Sequence, residues 1–214
     1  YLAKLANRTF LRLWCYPNLF NDNKPNDRGD GKELCDLLAV CGNDVFVFSD
    51  KQIAWPEGPI KLSWTRWFRK AIEKSARQLA GAERWILKNP SRVFLDAACQ
   101  FPLPIEFPAP SEMRLHLIAV AVGASEANAS LSGGFGTLAV VPSVRGIEAH
   151  ADRPFCVGDV HPTSTFVHVF DEVGLDLVLQ HLDTVTDLRD YLVGRADFIR
   201  SGTLGFASGE EDLL

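Results

Sequence analysis

The strongest constraint on the fold is the stretch from Glu33 to Lys51, where two runs of strand-like apolar residues flank Gly42 and Asn43. A two-residue connection with glycine first suits a type II′ turn, which lets two antiparallel strands twist together. The turn sets the register: Cys41 faces Asp44, and further out Asp36 lies opposite Ser49 and Leu34 opposite Lys51. Side chains alternate between the faces of a strand. Asp36, Ser49 and Lys51 are therefore expected on one face, at the end of the hairpin away from the turn. Glu33 and Asp50 point to the other face of a regular pleat, although Glu33 stands at the strand's start, where regular pleating often fails. A carboxylate and an ammonium in strands that otherwise read as core need a reason. One is a diagonal ion pair at a wet sheet margin, of the kind that contributes little.

Around the hairpin the pattern alternates helical and strand-like segments. Residues 2–14 are apolar at helical spacing, and 17–32 read as a loop dense in Asn, Asp, Gly and Pro. Ser63 is a candidate cap for a long helix through about Lys88, closed by Asn89 and Pro90. The proline-rich run "FPLPIEFPAP" is extended and is the best internal boundary. "RLHLIAVAV" reads as a buried strand, "SEANASLSGGFG" as a flexible loop, and "TLAVVPSV", "PFCVGD" and "TSTFVHVFD" as further strands. Two helices come next, roughly 174–182 and 185–199, with Asp183 or Thr184 as a cap between them. The expected class is α/β: a core over 1–122 of helix, hairpin, long helix and strand, then an α+β region over 123–214 that can pack on the same sheet. The chain begins at Tyr1 and stops in "GEEDLL", which reads as the opening of a helix, so it is expected to be a segment of a longer protein.

Composition excludes some classes. The chain is 47% hydrophobic and 23% charged, ordinary for a globular protein, and has no apolar run long enough to cross a membrane. Five cysteines without CxxC spacing argue for a reducing, cytoplasmic location with neither zinc nor a disulfide frame. The net charge of −5 hides an asymmetry: Lys61 to Arg92 holds nine basic residues against two acidic ones, a local +7, so the remainder carries −12. At 100° per residue, Arg66, Lys70, Lys74, Arg77, Arg84 and Lys88 fall on one line of the long helix, with Gln78 at the seam between that stripe and the apolar face. A solvated helix face usually mixes charge signs; this one scarcely does, and it suits a polyanion. Trp64 and Trp67 are expected in the core rather than stacked on bases. The acidic helices near the C-terminus are expected to pack on the second sheet, or to meet a partner or a further domain.

An aspartate in one strand and a lysine ending the next resembles the PD-(D/E)xK nucleases of the restriction-endonuclease-like superfamily, whose core runs helix, strands, helix, strand. The resemblance covers roughly residues 1–122. It implies that Asp36 is the motif aspartate and Lys51 the motif lysine, which orients or activates the attacking water. Gln78 matches a glutamine that such families place beside the metal on the following helix. One position departs from the pattern: two residues before the lysine, where a second acid is usual, stands Ser49. Glu33, Asp30 and Asp50 are candidates for a displaced carboxylate, with Glu33 preferred. The resemblance thus implies Asp36 and Glu33 as ligands of Mg²⁺ or Mn²⁺, and DNA contacted by Lys70, Lys74, Arg77, Arg84 and Lys88. Two alternatives stand beside a metal-dependent nuclease. One is a catalytically inactive nucleic-acid-binding module of the same fold; the other is an interaction domain of a larger, defence-related protein, with the basic helix docked on an acidic partner.

Overall fold

The computed structural model describes residues 15–23, 30–133, 136–203 and 205–214, so the helix expected over 2–14 lies outside the described residues. The hairpin forms as the turn dictates. β2 (Lys32–Cys41) and β3 (Asp44–Gln52) pair from Cys41↔Asp44 out to Leu37↔Phe48. Gly42 has φ +58° while Asn43 stays at negative φ, as a type II′ turn requires. Where a loop was expected, Cys15–Asn21 forms β1, antiparallel to β2. Its Pro17 and Asn18 read as loop formers, but among the described residues β1 near Pro17 borders only β2, and proline is tolerated at such an edge.

After β3 the chain must cross over to run parallel, and the basic helix makes that crossing. It comprises α1 (Ile60–Phe68), a π-helical turn over Arg69–Glu73, and α2 (Lys74–Lys88). The helix starts a turn earlier than expected, with Pro59 as its N-cap and Ser63 buried inside it. Proline fits here because its missing N–H would have no intrahelical acceptor at a helix start. β4 (Val93–Phe94) pairs with β1, and β5 (Arg114–Val122) runs parallel to β3. The segment expected as a flexible loop contains α3 (Ser125–Ser132), closed by Gly133 in the left-handed conformation. Serine and asparagine disguised it: Ser130 and Ser132 turn their hydroxyls back to the carbonyls one turn earlier, and Asn128 donates to Thr137 O.

β6 (Ala139–Arg145) and β7 (Cys156–Asp159) form a small parallel sheet linked by α4 (Ile147–Asp152). β8 (Val167–Phe170) then extends the main sheet. Among the described residues that sheet has six strands, in the order β4-β1-β2-β3-β5-β8. α5 (Glu172–His181) and α6 (Val185–Ser201) come after it, and Thr184 with Asp187 forms a capping box for α6. The protein is thus mixed α/β. Alternation along the strands divides the core: Val45, Val47, Leu117 and Ala119 pack under α1 and α2, whereas Phe46, Phe48, Ile118 and Val120 pack against α5 and α6. Trp64 and Trp67 are wholly buried, and their indole N–H groups donate to His150 O and Ile53 O. Among the described residues no helix is long and apolar enough to cross a membrane.

A buried acid secures the start of α5. Asp171 accepts hydrogen bonds from Gly174 N–H at 2.6 Å and Leu138 N–H at 2.5 Å. Burial nonetheless pushes its carboxyl up from 3.8 to about 7, with Glu172 and Glu210 adding repulsion. The folded protein keeps a proton that the unfolded chain has released above about pH 4. The contribution of Asp171 is therefore full below about pH 4 and is lost as pH rises through about 7. Urea midpoints of the wild type and Asp171→Asn should diverge over that window, the wild type losing stability relative to the variant. A constant difference would show that Asp171 is ionised throughout.

Candidate functional site

The charged end of the hairpin lies on the face covered by α2. Ser49 and Lys51 sit beside Ala119 and Ala121 of β5, whose small side chains leave room there. Lys51 Nζ is 3.6 Å from Asp36 Oδ2, and both side chains are partly exposed, at 26% and 19%. The same carboxylate oxygen accepts from Asp50 N–H at 2.8 Å, one step past the last strand pair. Asp36 thus takes the part of a strand carbonyl while presenting its charge to Lys51.

Glu33 reaches this site through an irregularity. In a regular strand, a residue three before Asp36 points to the opposite face. The register jumps from Leu19↔Cys35 to Phe20↔Glu33, so Leu34 is an extra residue on β2. Such a bulge bends its strand and re-aims the neighbouring side chains. Glu33 is thereby turned toward Asp36, close enough for the two carboxyl groups to interact. Its pKa is raised, chiefly by burial, then by its side-chain interaction with Asp36 and by the Asp36 charge, with Lys51 pulling the other way. Two carboxyl groups held close enough to share a proton form a site that a cation would relieve. Mg²⁺ keeps much of its water and commonly takes only one or two carboxylates, so Glu33 and Asp36 fit it as a pair. Among the described residues no group of three or more His, Cys, Asp or Glu side chains is placed to hold a metal ion. Asp30 is exposed, and Asp50 accepts from Gln52 Nε2 at 3.4 Å.

Ser49 faces the helix rather than the open site. It is fully buried, and its hydroxyl lies 3.1 Å from Gln78 Oε1 and 3.2 Å from Ser75 Oγ. Gln78 and Glu33 share the wall of a groove of about 830 Å³, lined by Lys32 of β2 and by Lys74, Arg77, Arg84 and Lys88 of α2. Lys70 is not on that wall. The π-helical turn holds about one residue more than an α turn. It therefore rotates the face of α1 by about 100° relative to that of α2. The straight-helix projection that aligned Arg66 and Lys70 with Lys74 fails at residues 69–73 for this reason. Trp85 also lines the groove. Sequence reasoning passed over it, although it stands about three turns after Lys74 and so falls on the same stripe. Its indole N–H donates to Arg92 O, and the Arg92 guanidinium lies 5.3 Å from its ring centre. Asn21 and Asn23 close the far side of the groove, and only the folding of β1 brings them there.

The site thus joins an acidic pair and a lysine to a cationic groove carrying one glutamine amide. That suits a phosphodiester backbone: the groove holds its charge, and the acidic end can present a hydrated cation. Comparison with models of protein families, with curated proteins and with solved structures finds no match.

Proposed function

We propose that this domain is a metal-dependent nuclease of the PD-(D/E)xK type, with a restriction-endonuclease-like core, hydrolysing phosphodiester bonds in DNA. The observation that carries the reading is the bulge at Leu34, which turns Glu33 onto Asp36 beside Lys51 and the basic groove. It supplies the second acid whose usual position Ser49 occupies. The order of strands, helix and parallel strand over 15–122 also supports it. Glu33 and Asp36 would hold Mg²⁺ or Mn²⁺, which when bound contributes charge neutralisation and polarisation at the phosphoryl group. Lys51 orients the attacking water and offsets the charge that grows on the phosphoryl oxygens. Lys74, Arg77, Arg84 and Lys88 hold the flanking phosphates. No disulfide joins any of the five cysteines among the described residues, and the proposed setting is the reducing cytoplasm.

One observation favours an inactive nucleic-acid-binding module instead: Ser49 is buried against α2 and offers no ligand to a metal. Incubation with supercoiled plasmid and linear duplex, with and without Mg²⁺, separates the two. Magnesium-dependent breakage that stops on chelation supports the nuclease. Retention of DNA without breakage in Mg²⁺ or Mn²⁺ leaves the binding module. Failure to retain nucleic acid at all leaves the interaction domain, with an acidic protein surface as partner.

Reversal of Lys74 and Arg77 to glutamate tests the groove. Both line it, and Arg77 is 73% exposed while paired to Glu73 at 2.7 Å. The double variant should weaken DNA binding at 0.1 M salt by on the order of 10²-fold and flatten its salt dependence, because fewer counterions are released. Exposed charges of this kind change stability by about 0.5 kcal/mol or less. Unchanged affinity would assign these residues to a merely solvated face.

A further inference from the structure

Ser49 is easily taken for a lost ligand, yet its surroundings give it another task. A serine hydroxyl has one proton to donate, and a glutamine side chain presents either a carbonyl or an NH₂ group. Ser49 Oγ meets Gln78 Oε1 at 3.1 Å and Ser75 Oγ at 3.2 Å, and Ser49 and Ser75 are both fully buried. Ser49 Oγ is the donor in both contacts, a three-centre arrangement in which Gln78 Oε1, which only accepts, is the nearer acceptor and Ser75 Oγ the second. The opposite arrangement, with the amide turned round, would aim a carbonyl oxygen into the groove that holds Glu33. Repulsion from the Glu33 and Asp36 pair disfavours that and draws the NH₂ group outward. A carboxylate at position 49 could not do this: lacking a proton, it would repel Oε1 and invert the amide.

We infer that Ser49 is a positioning residue, which pins the Gln78 carbonyl inward so that the amide NH₂ donates to a non-bridging phosphate oxygen of the bound strand. The inference rests on the nuclease reading for its catalytic consequence, and on the buried relay alone for its geometry. The metal-binding duty of the usual second acid passes to Glu33, and position 49 is freed to set the polarity of the amide.

The test uses the whole 214-residue chain. Side-chain amide signals of Gln78, assigned by their loss in Gln78→Ala, are monitored while a 12-base-pair duplex is added without divalent metal. They should shift in the wild type and in Ser49→Thr, which keeps the hydroxyl, and stay still in Ser49→Ala. In cleavage, Ser49→Ala should lower kcat about tenfold with KM little changed. Ser49→Thr should recover most of that loss, and Ser49→Ala should add nothing to Gln78→Ala. Equal loss in Ser49→Thr and Ser49→Ala, additive losses with Gln78→Ala, or Gln78 signals indifferent to DNA would each overturn the role given to Ser49. A protein that never cleaves DNA, yet shows the hydroxyl-dependent shift, would refute the nuclease and keep the relay.

Discussion

Asp36→Asn is expected to abolish divalent-ion binding and DNA cleavage together. The loss of rate should be on the order of 10³-fold or more, since a catalytic metal contributes several kcal/mol and each ~1.4 kcal/mol is tenfold in rate. The fold should survive. The bond from Asp50 N–H to Asp36 Oδ2 can be accepted by an asparagine carbonyl, and the pair with Lys51 is partly exposed and contributes at most about 1 kcal/mol. Lys51→Ala should spare metal binding and slow only the chemical step. Calorimetric titration with Mg²⁺ gives an independent reading. Glu33 holds its proton more tightly than a free carboxyl because of burial and Asp36, so under acid conditions, where it carries that proton, metal binding must displace it. The heat of binding should then vary with the ionisation heat of the buffer, and Glu33→Gln should remove the variation. If Asp36 serves only as the partner of Lys51, Asp36→Asn and Lys51→Ala will cost the same small stability and leave every activity untouched.

The part of this site legible in the sequence was its regular part. Gly42 and Asn43 determine the register, and the register places Asp36, Ser49 and Lys51 on one face. Periodicity likewise gave β5, α5 and α6 with their boundaries nearly right. Two departures from regular geometry, one allowed for at Glu33 and one not foreseen at Lys70, share a cause, the insertion of one residue into a repeating element. The bulge at Leu34 brings Glu33 onto the face that alternation denies it, and the π-helical turn takes Lys70 off the stripe that a straight helix gives it. Neither leaves a local signature, because both depend on which strand or helix packs alongside. Two segments read as loop were missed: α3, and β1, whose proline and asparagine hide a strand held by its pairing with β2. Without β1 there is no groove wall at Asn21 and Asn23.

Stability rests on a different set of charges, and removing one should have the largest effect on folding. Arg195 donates to Glu210 through Nε at 2.6 Å and Nη2 at 3.0 Å, with the two side chains only 2% and 4% exposed. Tyr191 also donates its hydroxyl to Glu210, and burial with the Glu210 charge pushes that hydroxyl well above its usual pKa, so it stays a donor. The guanidinium lies 4.8 Å from the Phe170 ring centre. Glu210 thereby ties the end of the described chain to α6 and to the sheet. Glu210→Ala strands a buried guanidinium and a buried hydroxyl, and should cost ~3–5 kcal/mol. For a chain of this length that lowers the unfolding temperature by on the order of 10 °C. Replacing both partners with apolar residues, Arg195→Met with Glu210→Leu, should recover much of the loss, because desolvation opposes a buried pair as strongly as attraction favours it. Urea unfolding of the two single variants and the double gives the coupling directly. A single-variant cost below ~1 kcal/mol would mean that water reaches Arg195 and that the pair is not a dry one. The groove walls carry neither residue, so DNA cleavage per folded molecule should be unchanged in all three variants. A parallel loss of cleavage would instead show that the end of the chain and the groove respond as one unit.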